Sequence, residues 1–437
     1  MNGSIEPALS HKKCDLLPHA ALVLNAGLAL ALVLAWTQMA RQGTFWAADF
    51  TGFYTGWAMV LDGRSDRLYD LDLQQEYQQR VAPELTASGS RLLFNYPPHA
   101  AVPAALLALL PRPAAFYAWD LVQLALLVPL VRFLRRLTPD RATLPFLVLL
   151  ATVAAFPPLF ISFQMGQVSL LVLVCLLGFV SNLERDKPFA TAYWLALLTI
   201  KPQFLLAPAA ILLAGRRWRE LGIAAALFAV WALLASAILG WSCWIDFANI
   251  VAYLSKQLGT NGVHPLAMYN LKGFLTSVLG EASAAWINIL SGAAVLLAVL
   301  VILAMGRKSL RLGTAEWDLR LALSLQLGLL VNPHFNPADV VTLIAPAILF
   351  YRGLRRCGHP ARVMGTVLVC APMLFALDCY GIAVVRPSAI HLFFVFMVGL
   401  AAAIVWTVSR DAQRSAGKSR APLRVAAKQE YSTQNCN

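Results

Sequence analysis

The stretch FWAADFTGFYTGWAMVLDG, Phe45–Gly63, follows the first long apolar run and opens the longest mainly polar interval between hydrophobic blocks. It carries four aromatic residues at steps of four, three and four: Trp46, Phe50, Phe53 and Trp57. A helix brings residues with this spacing onto one face. Aromatic faces of this kind are typical of the lipid headgroup layer, so we expect a helix that lies at the membrane surface.

An acid, Asp49, lies at the edge of this aromatic face. Gly52 and Gly56 follow it at helical spacing and form a strip without side chains, along which we expect a substrate to reach the carboxylate. The residues alone leave two roles open for the acid. Asp is a preferred N-cap, and Phe50 begins a helix-compatible run. The same carboxylate is equally suited to act as a catalytic base.

The composition is that of a polytopic membrane protein. The chain has 437 residues, of which 59% are hydrophobic and 13% are charged, and its mean hydropathy is +0.65. Soluble domains are only about half apolar. The net charge of +13 does not indicate nucleic-acid binding, because Lys and Arg between apolar spans follow the positive-inside rule.

No metal or cofactor is indicated by the motifs. The seven cysteines form no C-x-x-C pair, and the chain has no Walker loop, no G-x-S-x-G and no H-E-x-x-H. Asp70 and Asp72 form a D-x-D pattern, but they fall in a predicted external loop, where nucleotide sugars are scarce. We therefore expect neither a bound metal nor a cofactor.

Hydrophobic runs predict an all-α fold with about twelve transmembrane helices. The predicted spans are 19–39, 114–133, 142–160, 167–182, 189–200, 203–214, 221–240, 284–305, 317–331, 338–352, 362–382 and 388–408. The transmembrane domain is thus 19–408, with a first external loop at 40–113. Most of the 35 Lys and Arg residues then fall on the cytoplasmic side, together with residues 1–18 and the basic tail 409–437. We expect the tail to be disordered. A cleaved signal peptide is the alternative for the first run, which is longer than such peptides need.

Two regions are expected to enter the membrane without crossing it. Residues 98–110 are apolar, too short to cross and bracketed by prolines, which predicts a re-entrant or interfacial segment. Runs 189–200 and 203–214 have about half the length of a span, and they predict a hairpin with Lys201 at its tip. Such a cation either snorkels to the surface or has an anionic partner, for which a lipid phosphate is the first candidate.

Six further polar residues are candidates for binding a substrate. They lie in or beside predicted external loops: Tyr54, Arg64, Tyr96, His99, Gln167 and His334. His334, in VNPHFNPAD, is suited to hold a phosphate or a sugar hydroxyl, or it only caps a helix end. Gln167 opens a predicted span and either caps it or faces a polar cavity. Tyr96 and His99 flank a double proline, and packing of that rigid turn is their alternative role.

Five segments in this order resemble glycosyltransferase family 87. They are ADFTGFYTGWAMVLDGRSDRLYDLDLQ, FNYPPHA, MGQVSLLVL, LALLTIKPQFLLAPAAILLAGRRW and NPHFNPADVVTL, and the likeness covers about residues 45–352. The resemblance implies a GT-C-like membrane enzyme that uses a polyprenyl-phosphate sugar and has its catalytic Asp in the first external loop. Asp49 matches that Asp, Lys201 the lysine of the K-P-Q turn, and His334 the histidine of the P-H turn. The family includes mannosyltransferases, so mannose is the first candidate sugar.

The resemblance and the residues together imply an inverting transfer at the extracytoplasmic face of the cell membrane. Asp49 would remove a proton from an acceptor hydroxyl on a lipid or glycan, and Lys201 would stabilise the leaving phosphate. The expected partners are membrane lipids and the lipid-linked donor. A transporter or flippase of lipid-linked glycans is the alternative from another class, since broken helices and a buried Lys are also found there. An enzyme that transfers whole glycans shares this chemistry and also stays open.

Overall fold

The computed structural model describes residues 16–42, 49–83, 91–138, 143–256, 265–306, 312–358, 361–384 and 391–420. Within these ranges the protein is helical and contains no strand, as predicted. The helices are α1 (Leu16–Gln42), α2 (Phe50–Leu61), α3 (Leu71–Val81), α4 (Pro98–Ala101), α5 (Arg112–Leu137), α6 (Thr143–Ala154), α7 (Pro157–Met165), α8 (Ser169–Leu183), α9 (Pro188–Leu197), α10 (Leu206–Ala214), α11 (Trp218–Leu239), α12 (Cys243–Lys256), α13 (Leu271–Leu279), α14 (Ala284–Gly306), α15 (Ala315–Leu330), α16 (Ile344–Arg356), α17 (Ala361–Val384) and α18 (Leu392–Arg420). Short 3-10 turns connect several of them.

The prediction of a multi-pass membrane protein is confirmed, but the prediction of about twelve spans is not. Among the described residues, six helices are long and apolar enough to cross a membrane, or up to seven if a bent pair counts as one span. The six are Pro18–Gln42, Arg112–Leu137, Trp218–Leu239, Glu281–Gly306, Pro337–Arg356 and Leu392–Arg410. The bent pair is Pro145–Ala154 with Pro157–Met165, which meet at 44° because the double proline interrupts the helix.

Several predicted spans correspond to helices that are shorter than a full crossing. The runs predicted at 167–182, 189–200, 203–214 and 317–331 correspond to α8, α9, α10 and α15. Helix α8 has only 15 residues and most of its side chains are buried. A helix enclosed by its neighbours buries its apolar side chains against protein, whether or not it spans the bilayer. Hydrophobic runs therefore do not by themselves fix the number of crossings.

Helices α9 and α10 form the predicted hairpin. Arg217, just after α10, makes an ion pair with Asp186, just before α9, so the chain runs to the tip and returns. Lys201 lies at that tip between two 3-10 turns, at Leu198–Ile200 and Pro202–Phe204. At the opposite end of the bundle from this tip, Arg352 pairs with Asp318 and, at 2.8 Å, with Glu184. These ion pairs connect the end of α8 with α15 and α16.

The aromatic face of α2 is buried in the protein, so its predicted place in the lipid headgroup layer is wrong. Phe50, Phe53 and Trp57 are at most 5% exposed, and Trp46 lies outside the described residues. The ring of Phe50 packs edge-on against Phe116 of α5, with 5.1 Å between the centroids. The amphipathic pattern correctly indicated a face that is covered. Periodicity does not distinguish whether protein or lipid covers it.

The glycine strip of α2 is occupied by the chain itself, which contradicts the predicted substrate path. A methyl group on Gly52 would lie 2.9 Å from the Leu92 carbonyl oxygen, and one on Gly56 would lie 2.6 Å from the Phe94 ring. Two glutamines of α3 hold this extended segment. Gln74 accepts a hydrogen bond from the Phe94 N–H at 2.9 Å, and Gln78 accepts one from the Leu92 N–H at 3.2 Å. The glutamine amides take the place of a neighbouring strand.

The segment predicted to be re-entrant, 98–110, contains no helix of membrane-spanning length. It forms α4 and a 3-10 turn at Ala105–Leu109, and that turn packs against α2. Its depth in the membrane stays a prediction. At the other end of the chain, α18 continues to Arg420, so the tail is helical beyond the predicted boundary at Ser409. Residues 1–15 and 421–437 lie outside the described residues.

The close fit of Phe94 over Gly56 gives a stability test. We expect Gly56→Ala to lower the free energy of unfolding by about 1–3 kcal/mol, because the added methyl group overpacks the contact. The control is Gly222→Ala in α11, where an added methyl group meets nothing within 4 Å and improves helix propensity by up to about 1 kcal/mol. The measurement is unfolding of both purified variants in detergent. Equal stability of the two variants would contradict the packing.

Candidate active site

Asp49 immediately precedes α2, but its side chain does not cap the helix. Its Oδ2 instead accepts a hydrogen bond of 2.5 Å from Nε2 of Gln167, which lies 118 residues further along the chain. Its Oδ1 has no hydrogen bond within the described residues, and the residue is partly exposed. Of the two roles that the sequence left open, the cap is therefore not the one Asp49 has here. One carboxylate oxygen is anchored and the other is available.

The turn between α7 and α8 carries Gln167 to this position. Gly166 ends α7 with φ of +65°, a left-handed conformation that favours glycine. The indole N–H of Trp119 donates to the Gly166 carbonyl at 2.8 Å. A side chain at Gly166 would also collide with Phe50, since the closest approach would be 2.7 Å. Glycine is therefore needed both for the turn and for the contact that seats Gln167 beside α2.

The Gln167 amide connects Asp49 to two further groups. Its Oε1 accepts a hydrogen bond from the Tyr96 hydroxyl at 3.0 Å, and Nζ of Lys201 lies 3.4 Å from the same oxygen. Because both of these partners are donors, the amide nitrogen must face Asp49, which fixes the orientation of the amide. The structure thus brings together Asp49, Tyr96, Gln167 and Lys201 from four separate segments.

Lys201 has an acidic partner that the sequence interpretation missed. Its Nζ lies 2.5 Å from Oδ1 of Asp339, and the side chains are 5% and 1% exposed. The same carboxylate oxygen accepts a hydrogen bond from the Ser169 hydroxyl at 2.5 Å, and Oδ2 accepts one from the Asn336 N–H at 3.3 Å. A lipid phosphate is therefore not needed as the partner of Lys201. Asp339 is the last residue of VNPHFNPAD, and an acid in that polar segment was the available signal.

The surroundings make Asp49 a stronger base than a solvated Asp. Burial raises the pKa of Asp49 above its usual value of 3.8. The hydrogen bond from Gln167 and the charge of Lys201 lower it, and the charge of Asp339 raises it further. The net direction is upward. A raised pKa brings the carboxylate nearer to the range in which general bases work.

His334 lies at the edge of this network. Its backbone N–H donates to Oδ1 of Asn332 at 3.0 Å, and its partly exposed imidazole has no hydrogen bond in the described part of the chain. Burial first, and then the nearby charge of Lys272, lower the pKa of His334 to about 4. The imidazole is therefore neutral near pH 7 and has one N–H to offer as a donor. Lys272 was not a sequence candidate.

Three other predicted residues lie outside the network. The His99 ring stacks against Trp231 and Trp244, and its Nε2 lies 3.0 Å from Oγ1 of Thr199. Burial lowers the pKa of His99 to about 4. The Tyr54 hydroxyl donates to the Leu110 carbonyl at 2.8 Å. Arg64 follows the far end of α2, about 18 Å from Asp49 along a helix of twelve residues.

The D-x-D pattern has a structural role. One oxygen of Asp70 accepts hydrogen bonds from the N–H groups of Asp72 and Leu73, both at 3.1 Å, so Asp70 caps α3. Its other oxygen pairs with Arg67. Within the described ranges, no group of three His, Cys, Asp or Glu residues is placed to hold a metal ion.

Comparisons with known proteins identify relatives of this chain. The sequence model described as Glycosyltransferase family 87 matches residues 94–333, which is more than half of the chain. A curated protein of Mycolicibacterium smegmatis, the polyprenol-phosphate-mannose-dependent alpha-(1-2)-phosphatidylinositol pentamannoside mannosyltransferase, is 27% identical over 346 residues, 76% of each chain. No solved structure matches the chain.

The buried ion pair gives a second stability test. We expect Lys201→Met to lower the free energy of unfolding by about 3–5 kcal/mol, because Asp339 is left buried without its cation. The double variant Lys201→Met/Asp339→Asn should recover most of this loss, since no unpaired charge remains. Lys187→Met removes an exposed lysine from the same hairpin and should have no effect. If the double variant were as unstable as the single one, Lys201 and Asp339 would not be partners.

Proposed function

The chain belongs to glycosyltransferase family 87, and from that premise we propose that it transfers a hexose, most simply mannose, from a polyprenyl-phosphate donor to a lipid or glycan acceptor. It is a multi-pass membrane glycosyltransferase, so the enzyme hypothesis is confirmed over the transporter. The donor class in the proposal is supported by the mycobacterial relative, which is polyprenol-phosphate-mannose-dependent. The GT-C-like arrangement, the extracytoplasmic site in the cell membrane and the cytoplasmic termini belong to the same proposal.

The observation that carries the proposed mechanism is the arrangement at Asp49. One carboxylate oxygen is held by Gln167 and the other has no partner in the described part of the protein. Burial raises the pKa of this carboxyl group. A base needs a free lone pair, a fixed position and a sufficient proton affinity, and Asp49 has all three. Among the described acids near the network, Asp339 lacks the first because Lys201, Ser169 and a backbone N–H use its oxygens.

The reaction is a single displacement with inversion at the anomeric carbon. Asp49 accepts the proton of the acceptor hydroxyl through Oδ1 while that oxygen attacks the anomeric carbon. The bond between the anomeric carbon and the phosphate oxygen breaks, and its electron pair stays on the phosphate. The leaving group is already a phosphate ester, so no general acid is required. One carboxylate is sufficient, unlike in a glycosidase, which needs two.

Lys201 supports this reaction from within the protein. Its side chain is only 5% exposed and already pairs with Asp339, so direct contact with a donor phosphate would require that pair to separate. We assign it an electrostatic role: its charge favours the ionised form of Asp49 and contributes positive potential where the phosphate leaves. The hydrogen bond to Gln167 also keeps the amide turned towards Asp49.

Replacing Asp49 tests the catalytic role directly. Asp49→Asn keeps the shape of the side chain and removes the base, so we expect a fold near that of the native enzyme and a transfer rate lower by about 10²–10⁴-fold. The assay follows transfer of radiolabelled mannose from polyprenyl-phosphate mannose in membranes. Asp66→Asn, an exposed acid in the turn after α2, should retain the native rate. Native transfer by Asp49→Asn would refute the assignment.

The pH dependence tests the role of Gln167 as a positioning residue. The hydrogen bond from Gln167 lowers the pKa of Asp49, so Gln167→Leu should raise that pKa further. The rate needs ionised Asp49 and is lost as pH falls through its pKa. The acid limb of kcat/KM should therefore move to higher pH in the variant. Gln164→Leu, a partly exposed glutamine of α7, serves as the control and should leave the limb in place. An unmoved limb in Gln167→Leu would exclude this coupling.

A further inference from the structure

The surroundings of Lys272 do not favour a positive charge. It lies in the first turn of α13, where the helix dipole disfavours positive charge, and that turn contains no acid. No hydrogen bond or ion pair involves its ammonium group in the described residues, and its side chain is partly buried. Burial lowers the pKa of Lys272, and no acid of the described residues opposes this shift. A cation held under these conditions is suited to an anion that arrives from outside.

Two hydrogen bonds place Lys272 beside the candidate active site. Nδ2 of Asn270, which caps α13, donates to the Asn332 carbonyl at 2.7 Å. The N–H of Tyr269 donates to the Phe335 carbonyl at 2.8 Å. His334 lies between these two anchored residues, and Lys272 follows Asn270 by two positions. The start of α13 and the His334 segment are therefore fixed together, and the charge of Lys272 acts on the imidazole.

The group around His334 is rich in donors and poor in acceptors. Asn332 is 3% exposed, its Oδ1 accepts the His334 N–H, and its Nδ2 has no acceptor in the described structure. The imidazole offers an N–H and Lys272 offers an ammonium group. The acid that acts on His334 electrostatically is Asp339, which already pairs with Lys201. An anion with several acceptor oxygens would satisfy these donors, as a phosphate does.

We propose that Lys272, together with His334 and the amide of Asn332, binds the phosphate of the polyprenyl-phosphate donor. This inference rests on the proposed function and deepens it. It assigns the contact with the phosphate to a lysine that has no partner in the described part of the chain, rather than to Lys201. The phosphodiester carries one negative charge before transfer, and the departing monoester carries up to two, so this contact strengthens as the bond to the anomeric carbon breaks.

Binding of polyprenyl phosphate, the sugar-free product, tests the proposal without requiring transfer. The full-length protein is reconstituted in phosphatidylcholine nanodiscs and titrated with polyprenyl phosphate. We expect Lys272→Gln to weaken binding by about tenfold to a hundredfold, because a charge-assisted hydrogen bond is lost. Lys272→Arg should retain most of the affinity, and His334→Gln should weaken binding to a smaller extent. Arg219→Gln removes an exposed cation from the first turn of α11 and should bind as the wild type does.

The same titration separates this proposal from the proposed function. Asp49→Asn should bind polyprenyl phosphate with native affinity while losing transfer, since the base does not contact the phosphate. Binding that depends on Lys272 in a wild-type protein without mannosyl transfer would refute the proposed sugar or acceptor and leave the phosphate site standing. Native affinity in Lys272→Gln would overturn the phosphate site, whatever the transfer activity.

A second arm distinguishes the donor from a phospholipid headgroup. Phosphatidylinositol is added to the nanodiscs as a competitor, and KM is measured separately for donor and acceptor in the transfer assay. We expect Lys272→Gln to raise the KM of the donor and lower kcat, while the KM of the acceptor stays unchanged. A raised KM for the acceptor alone, or loss of phosphatidylinositol competition with native affinity for polyprenyl phosphate, would assign Lys272 to the headgroup of a phospholipid and overturn the proposal.

Discussion

The buried ion pair of Lys201 and Asp339 is the interaction on which the arrangement of this site depends. Removing two charges from water costs several kcal/mol for each ion, and the attraction between them repays this only when the geometry is good. The hairpin tip must therefore meet the segment at Pro337–Leu343 closely. Once formed, the pair orients the Gln167 amide, and Gln167 fixes Asp49. A hydrophobic pair of similar volume would pack as well, so the pair is better explained by the contact through which Lys201 holds Gln167, and Gln167 holds Asp49, than by stability.

The sequence predicted the local parts of this arrangement better than their connections. Two half-length apolar runs were sufficient to predict the hairpin and Lys201 at its tip. Asp339 was missed because it is separated from Lys201 by 138 residues, and no local pattern reports such a pairing. Lys272 was missed for the same reason, since its neighbour His334 lies in another segment. A feature that is defined by spacing along the chain can be predicted from the sequence. Contacts between residues that are distant along the chain are seen only in the structure.

The two errors at α2 have one physical cause. An apolar face and a strip of glycines both predict that something lies against the helix, but neither states what it is. Lipid was expected over Phe53 and Trp57, and α5 together with Tyr96 covers them. Substrate was expected over Gly52 and Gly56, and residues 92–94 occupy the strip. Likewise, the prediction of about twelve membrane spans was not confirmed, because a run of apolar residues is the same for a helix in lipid and for one inside the protein.

The region that matches the family does not include every residue of the candidate site. The match covers residues 94–333, which includes Gln167, Lys201 and Lys272 but excludes Asp49 and Asp339. The assignment of Asp49 therefore does not follow from the match. The proposal is supported by contacts, because Asp49 is hydrogen-bonded to Gln167 and Asp339 pairs with Lys201, and Gln167 and Lys201 both lie inside the matched region. A carboxylate that only capped α2 would not need a hydrogen bond from the turn between α7 and α8. The hydrogen bond from Gln167 connects Asp49 to the network that the matched residues form, and this contact supports the proposal that Asp49 is the base.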